Sequence, residues 1–252
     1  MSSRIFIVCG YVASGKTTVA NELARTMGVR VIRTDDLRKE LFPRELSYDQ
    51  IDLGRTEESA GKIISWIEEN DSGGIDFQQV LNPLGSFQNE AYGEIIRKYA
   101  LRIKEQKQRV YNEAFARLSK ILKEDKDIIF DATFSSRSMR ERAYRVATEN
   151  GLENIYIVQI TCDEDIVKSR LANRRSGNQA TTSNAKQLEI FRVVKKEFDE
   201  SHIQKDNPEG LSIMRIVYDT GIQKIEQFGK VDGTTRGIGM VLTNLSEKYG
   251  QK

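Results

Sequence analysis

The residues best placed to do chemistry stand near the start of the chain. Gly10-Tyr-Val-Ala-Ser-Gly15-Lys16-Thr17 fits the spacing G-x-x-x-x-G-K-[ST]. The apolar run Ile5–Cys9 precedes it and reads as a buried strand. Lys16–Met27 follows, with Val19, Leu23 and Met27 at helical spacing and Gly28 as its stop. A glycine loop between a strand and a helix N-terminus is the setting in which this spacing holds phosphate. Glycines let the backbone curl so that N–H groups from Gly10 through Ala13, Ser14, Gly15, Lys16, Thr17 and Thr18 can face an anion, and the helix end adds partial positive charge. Lys16 would reach the β- and γ-phosphates, and Thr17 would supply a Mg²⁺ ligand. The ligand pair this implies is ATP with Mg²⁺.

Two acidic positions can serve such a loop. Asp131 ends the run Ile128-Ile129-Phe130, and a carboxylate at the carboxyl end of a parallel strand borders the ligand crevice, where it can hold Mg²⁺. A turn or cap aspartate is the plainer reading. Thr34-Asp35-Asp36-Leu37-Arg38 follows the second strand. A carboxylate there can take the proton of an attacking hydroxyl, and Arg38 can hold an anionic part of an acceptor. Equally, Asp35 or Asp36 can cap a short helix over Leu37–Leu41. Arg170, Arg174 and Arg175 close a further helix ahead of the polar stretch 176–183. An arginine on a closing segment would stabilise charge on a transferred phosphoryl group; a cationic cap on the helix C-terminus is the alternative. Of Arg137, Arg140, Arg142 and Arg145, two or more read as a solvated face and one could reach an acidic acceptor; as a patch the four could touch a nucleic-acid backbone, but no aromatic interleaving supports that.

Composition removes other chemistries. The 252 residues include one His and two Cys, which excludes a His-rich zinc site, a Ser-His-Asp hydrolase and a disulfide scaffold. The formal net charge is +2, so bulk electrostatics do not announce nucleic-acid binding; a nucleic acid remains a possible partner without being favoured. No apolar run approaches the ~18 residues of a membrane span. The chain enters its first strand without a cleavable leader, and a cytoplasmic soluble protein is expected. The Asn-Lys-x-Asp signature of guanine recognition is not found in the sequence.

The elements that must position these residues alternate. Strands are expected at Ile5–Cys9, Val29–Ile32, Asp127–Asp131, Ile155–Thr161 and Ile213–Tyr218, separated by helices, which points to βαβ units and an α/β fold with a parallel sheet. The stretch from Pro43 to Asp125 breaks the rhythm. Helical pieces are expected around Ile63–Ile67 and over Glu90–Lys123, the latter with a break near Glu105–Arg109, since about 34 residues is long for one globular helix. A closing helix is expected over Ile238–Tyr249.

Four strings taken together carry a resemblance: Gly10–Thr18, Val31–Leu41 with its Asp-x-x-Arg, Ile128-Ile-Phe-Asp-Ala-Thr-Phe134, and Arg170-Leu-Ala-Asn-Arg-Arg175. Their order resembles the "predicted kinase" branch of the P-loop kinases, near polynucleotide kinase, zeta toxins, gluconate kinase and the seryl-tRNA kinases. The resemblance implies a three-layer sandwich with a five-stranded parallel sheet of order 2-3-1-4-5. It implies one P-loop kinase domain over 1–252, carrying a helical insertion at about 43–105 and a lid at about 170–190. Asp35 then matches the acceptor base, Arg38 the acceptor-binding arginine, Asp131 the Walker-B-like carboxylate, and Arg174 or Arg175 the lid arginine. The activity implied is transfer of the ATP γ-phosphate to an acceptor hydroxyl, on a small metabolite or a nucleic-acid end. A nucleotide-dependent switch acting through the insertion is the competing reading. The insertion departs from the family's usual short link, and the tail after Gly221 matches nothing in the pattern.

Overall fold

Apolar runs become strands because they can be buried on both faces of a sheet. β1 (Ile5–Gly10) is buried at every position, as is β3 (Ile128–Asp131). The computed structural model describes residues 3–42, 90–124, 126–175, 188–228 and 232–249, without the side chains of 90–104, 174–175, 188–190, 193 and 249. The helix expected around Ile63–Ile67 and the lid stretch 176–187 lie outside the described residues.

The remaining elements are α1 (Lys16–Met27), β2 (Arg30–Arg33), α2 (Thr34–Leu41), α3 (Glu90–Lys123), α4 (Arg137–Glu149), β4 (Asn154–Thr161), α5 (Glu164–Arg175), α6 (Leu188–Glu200), β5 (Ser212–Asp219), β6 (Lys224–Phe228) and α7 (Gly233–Tyr249). The sheet order is β2-β3-β1-β4-β5-β6. The first five strands are parallel in the expected order; β6 pairs antiparallel with β5 and extends the edge. Among the described residues, this sixth strand is the addition to the expected sheet.

Alternation along the strands sorts side chains onto two faces. Phe6 and Val8 of β1 join Tyr156, Val158 and Ile160 of β4 and Ile216 of β5, packed with Val19 and Leu23 of α1 and Leu242 and Leu245 of α7. On the other face the Phe130 ring meets Phe115 of α3 and Phe134 edge to face, at centroid distances of 5.4 and 4.9 Å. Helices on both faces make the three-layer sandwich.

The chain divides into two units, Met1–Leu37 with Asn112–Lys252, and Arg38–Tyr111. α3 runs as one helix of 34 residues, so the break expected near Glu105–Arg109 is absent. Glu, Gln, Lys and Arg are strong helix formers; a polar stretch changes which residues meet solvent without interrupting the backbone.

Candidate functional site

The loop after β1 is shaped by backbone geometry before any ligand is considered. Gly10 has φ 142°, and a Cβ there would lie 2.0 Å from the Ile160 carbonyl oxygen of β4. Only glycine permits that approach. Ala13 and Gly15 also have positive φ, 59° and 101°, which turns successive peptide planes as an anion-binding nest requires. Ser14 closes the turn through its N–H and its hydroxyl, both donating to the Tyr11 carbonyl at 3.3 and 2.9 Å. Gly15 is the N-cap of α1, with no side-chain cap bond and no acidic residue in the first turn. First-turn N–H groups have no acceptor inside their own helix, so the start of α1 presents donors and positive partial charge to an anion. The Lys16 ammonium donates to the Tyr11 carbonyl at 2.5 Å. Thr17 is half-buried and Thr18 exposed, both in the first turn.

β3 runs beside β1 with Val8 opposite Asp131. That register places Asp131 at the carboxyl end of the sheet, two residues short of the loop. Just beyond it, the Gly10 N–H donates to the Thr133 carbonyl at 3.3 Å. Asp131 is 3% exposed. Burial pushes its carboxyl up from the usual carboxylate range; the Arg33 hydrogen bond and the charges of Lys16 and Arg33 oppose the rise, and the Asp35 charge adds to it. Lys16, Asp131 and Asp35 therefore share one electrostatic neighbourhood.

Arg33, which no motif in the sequence marks, organises that neighbourhood. It ends β2 and spreads its guanidinium over three elements: Nε to Asp131 at 2.8 Å, Nη1 to Asp36 of α2 at 3.0 Å, and Nη2 to Asn21 of α1 at 2.6 Å. The planar fork of arginine suits this use. α2 begins at Thr34, so Asp35 and Asp36 fall inside its first turn rather than capping it. Asp35 is half-buried and Asp36 exposed. Arg38 lies one turn further along α2 and belongs to the second unit.

The arginines divide. Arg170 of α5 donates Nη1 to the Ala13 carbonyl at 3.1 Å and to Thr220 Oγ1 at 2.9 Å, so it grips the loop's backbone. Arg174 and Arg175 end α5 with side chains outside the described residues. Of the four arginines on α4, Arg140 is the one turned inward. It is fully buried and pairs with Asp206, with Nε 2.5 Å from Oδ2. Nothing adjacent in sequence signals this, because the partner lies 66 residues on.

The residues present suit Mg²⁺ with a nucleotide. The Thr17 hydroxyl and the Asp131 carboxylate are hard oxygen donors, and no group of three or more His, Cys, Asp or Glu placed to hold a metal occurs among the described residues. Mg²⁺ asks for one or two protein oxygens, with phosphates and water completing its shell.

A family model described as an AAA domain, AAA_33, matches residues 5–196. Comparison with curated proteins finds no match. Among solved structures the fold resembles a candidate kinase from Chloroflexus aurantiacus, with TM-score 0.52, 12% identity and 98% of each chain covered. It also resembles a chain of the PezAT toxin–antitoxin system of Streptococcus pneumoniae, with TM-score 0.50, 9% identity, 100% of this chain and 88% of that one. A chain of the Pnkp1/Rnl/Hen1 RNA repair complex matches with TM-score 0.50, 15% identity, 92% of this chain and 53% of that one. At these identities the likeness is one of fold. Among the described residues, no helix is long and apolar enough to cross a membrane.

Proposed function

The chain belongs to the AAA_33 family of AAA domains, and we propose that it is an ATP-dependent phosphotransferase acting on an acceptor hydroxyl. The observation that carries this reading is that Asp131, beside the loop that carries Lys16, is tied by Arg33 to the first turn of α2, where Asp35 stands. A loop that only binds nucleotide needs Lys16 and Asp131. A second carboxylate on α2, half-open to solvent, is what transfer to a hydroxyl adds. The candidate kinase among the fold relatives is in keeping with the same reading.

In this account the first-turn N–H groups of α1 and the Lys16 ammonium hold the β- and γ-phosphates. Thr17 and Asp131 would hold Mg²⁺, which when bound neutralises phosphate charge. Asp35 accepts the acceptor's hydroxyl proton as the acceptor oxygen forms its bond to the γ-phosphorus. The bond from that phosphorus to the β,γ-bridging oxygen breaks, and ADP leaves with the electron pair. Arg38 would orient an anionic part of the acceptor, and Arg174 or Arg175 would cover the transferring group. Residues 1–252 then form one kinase domain with 43–105 as its acceptor-selecting insertion. The near-neutral charge of the chain favours a small metabolite over a nucleic-acid end.

The test is transfer from γ-labelled ATP with Mg²⁺ into two separate pools, a metabolite extract and 5′-hydroxyl oligonucleotides. Label entering the metabolite pool is the expected result. Label entering only the oligonucleotides would reverse the acceptor class. Label released only as inorganic phosphate would overturn the transferase reading in favour of a hydrolytic switch.

A further inference from the structure

The turn that joins β5 to β6 packs on the outer side of the phosphate-binding loop, and it is built to hold one hydroxyl still. Asp219 Oδ1 accepts the N–H groups of Gly221 and Ile222 at 2.8 and 3.1 Å, and Oδ2 accepts the Thr161 hydroxyl at 3.0 Å. The Thr220 N–H donates to the Thr161 carbonyl at 3.0 Å. A Cβ on Gly221 would lie 2.7 Å from Ile166 Cδ1, so the turn sits tight against α5. Thr220 is thereby aimed at the loop, where its Oγ1 donates to the Ser14 carbonyl at 2.6 Å. Arg170 completes the arrangement by donating to Thr220 Oγ1, to the Thr220 carbonyl at 3.3 Å and to the Ala13 carbonyl.

The bonds run in one direction. The guanidinium donates to the threonine oxygen, and the threonine hydroxyl in turn donates to the Ser14 carbonyl. A hydroxyl that accepts from a cation is a stronger donor. The bond to Ser14 fixes more than an oxygen. In a trans peptide the C=O and the following N–H point in opposite directions, and no peptide in the described residues is cis. Holding the Ser14 oxygen toward Thr220 therefore turns the Gly15 N–H away from it, into the loop. Thr220 Cγ2 and Arg170 Nη1 also lie 3.4 and 3.7 Å from where a Gly15 Cβ would stand, so both back directly onto that peptide.

We propose that Thr220 and Arg170 are positioning residues for phosphate binding: Thr220 holds the Gly15 N–H toward the nucleotide through the Ser14 carbonyl, and Arg170 fixes Thr220 and braces the preceding peptide through the Ala13 carbonyl. The proposal rests on the nucleotide-binding reading of the loop. It gives Arg170 a backbone-bracing role and gives the β5–β6 turn, 206 residues from Ser14, a share in nucleotide affinity.

The test compares wild type with Thr220→Val, which keeps the side chain's shape and removes its hydroxyl, and with Thr220→Ser, which restores the hydroxyl. Titrations use a fluorescent ATP analogue with Mg²⁺ and, separately, inorganic tripolyphosphate, which reports on the loop without the base. Thr220→Val is expected to weaken both about five- to tenfold, the effect of one backbone hydrogen bond, and Thr220→Ser to return to within about twofold of wild type. Arg170→Gln is expected to weaken both in the same direction, and to add less in the Thr220→Val background than alone. If Thr220→Val does not fold, Arg170→Gln alone carries the comparison. Wild-type affinity in Thr220→Val, or a Thr220→Ser as weak as Thr220→Val, would overturn the positioning role. A wild-type protein that binds neither probe would overturn the nucleotide-binding reading beneath it.

Discussion

Replacing Arg140 by methionine removes a cation from the interior and strands an anion there. Arg140 is 0% exposed and makes six hydrogen bonds: two to Asp206, and one each to the Phe134 carbonyl, the Ser135 carbonyl, the Ser201 hydroxyl and the Ser201 carbonyl. The Asp206 side chain is only 3% exposed and keeps just the Tyr144 hydroxyl, 2.7 Å away, as a described partner once Arg140 is gone. Breaking a buried pair by removing one charge costs about 3–5 kcal/mol. A domain of this size loses about 2–4 °C of melting temperature per kcal/mol, so Arg140→Met should lower Tm by roughly 6–20 °C. The stranded charge is the larger part of that loss. Adding Asp206→Asn removes the charge and keeps an acceptor for Tyr144, so Arg140→Met/Asp206→Asn should recover about half of the loss or more. Thermal and urea unfolding of the three proteins decide the matter. A single variant within about 1 kcal/mol of wild type, or a double variant no more stable than the single, would refute the reasoning. The site should feel the change as well, because Arg140 holds the carbonyls of Phe134 and Ser135, which follow Asp131 and the loop-bound Thr133.

Two further outcomes are expected. Gly10→Ala would place its Cβ 2.0 Å from the Ile160 carbonyl oxygen at φ 142°, and should cost about 2–4 kcal/mol in urea unfolding together with most nucleotide affinity in titration. Burial pushes the Cys9 thiol up to about 12; at pH 8 it should react with a disulfide reagent on the order of a thousandfold more slowly than an exposed thiol, and at the ordinary rate after unfolding. Because the folded state holds that proton more tightly than the unfolded chain, its contribution to stability is lost as pH rises from about 8.5 toward 12. Stability measured across that window checks the sign.

Much of the positioning frame was legible because it is local. β1, β3 and β4 are marked by apolar runs, β2 only by Val31 and Ile32, and the Gly10–Thr17 spacing names its own loop. β6 escaped notice because Lys-Ile-Glu-Gln-Phe is an exposed edge strand held by the neighbouring turn, with almost nothing buried to mark it. Arg33, Arg140 and Thr220 escaped for another reason. Each acts through a partner far along the chain, Asp131 at 98 residues, Asp206 at 66 and Ser14 at 206. No periodicity or short motif encodes a contact of that separation. The sequence shows no counter-charge near Arg140 that would single it out from its neighbours on α4, and the polar residues of α3 look like an interruption although they are strong helix formers. By spacing alone Asp35 suits a cap or a base; the start of α2 at Thr34 puts it inside the first turn, with its charge acting on Asp131.

The most direct test of the central claim separates nucleotide binding from transfer at Asp35. Wild type and Asp35→Asn are titrated with a fluorescent ATP analogue and then assayed for γ-phosphate transfer to the pool that accepts label. The account predicts equal nucleotide affinity and a fall in transfer of about 10²–10⁴-fold, the contribution of a positioned general base. Transfer that survives in Asp35→Asn would contradict it.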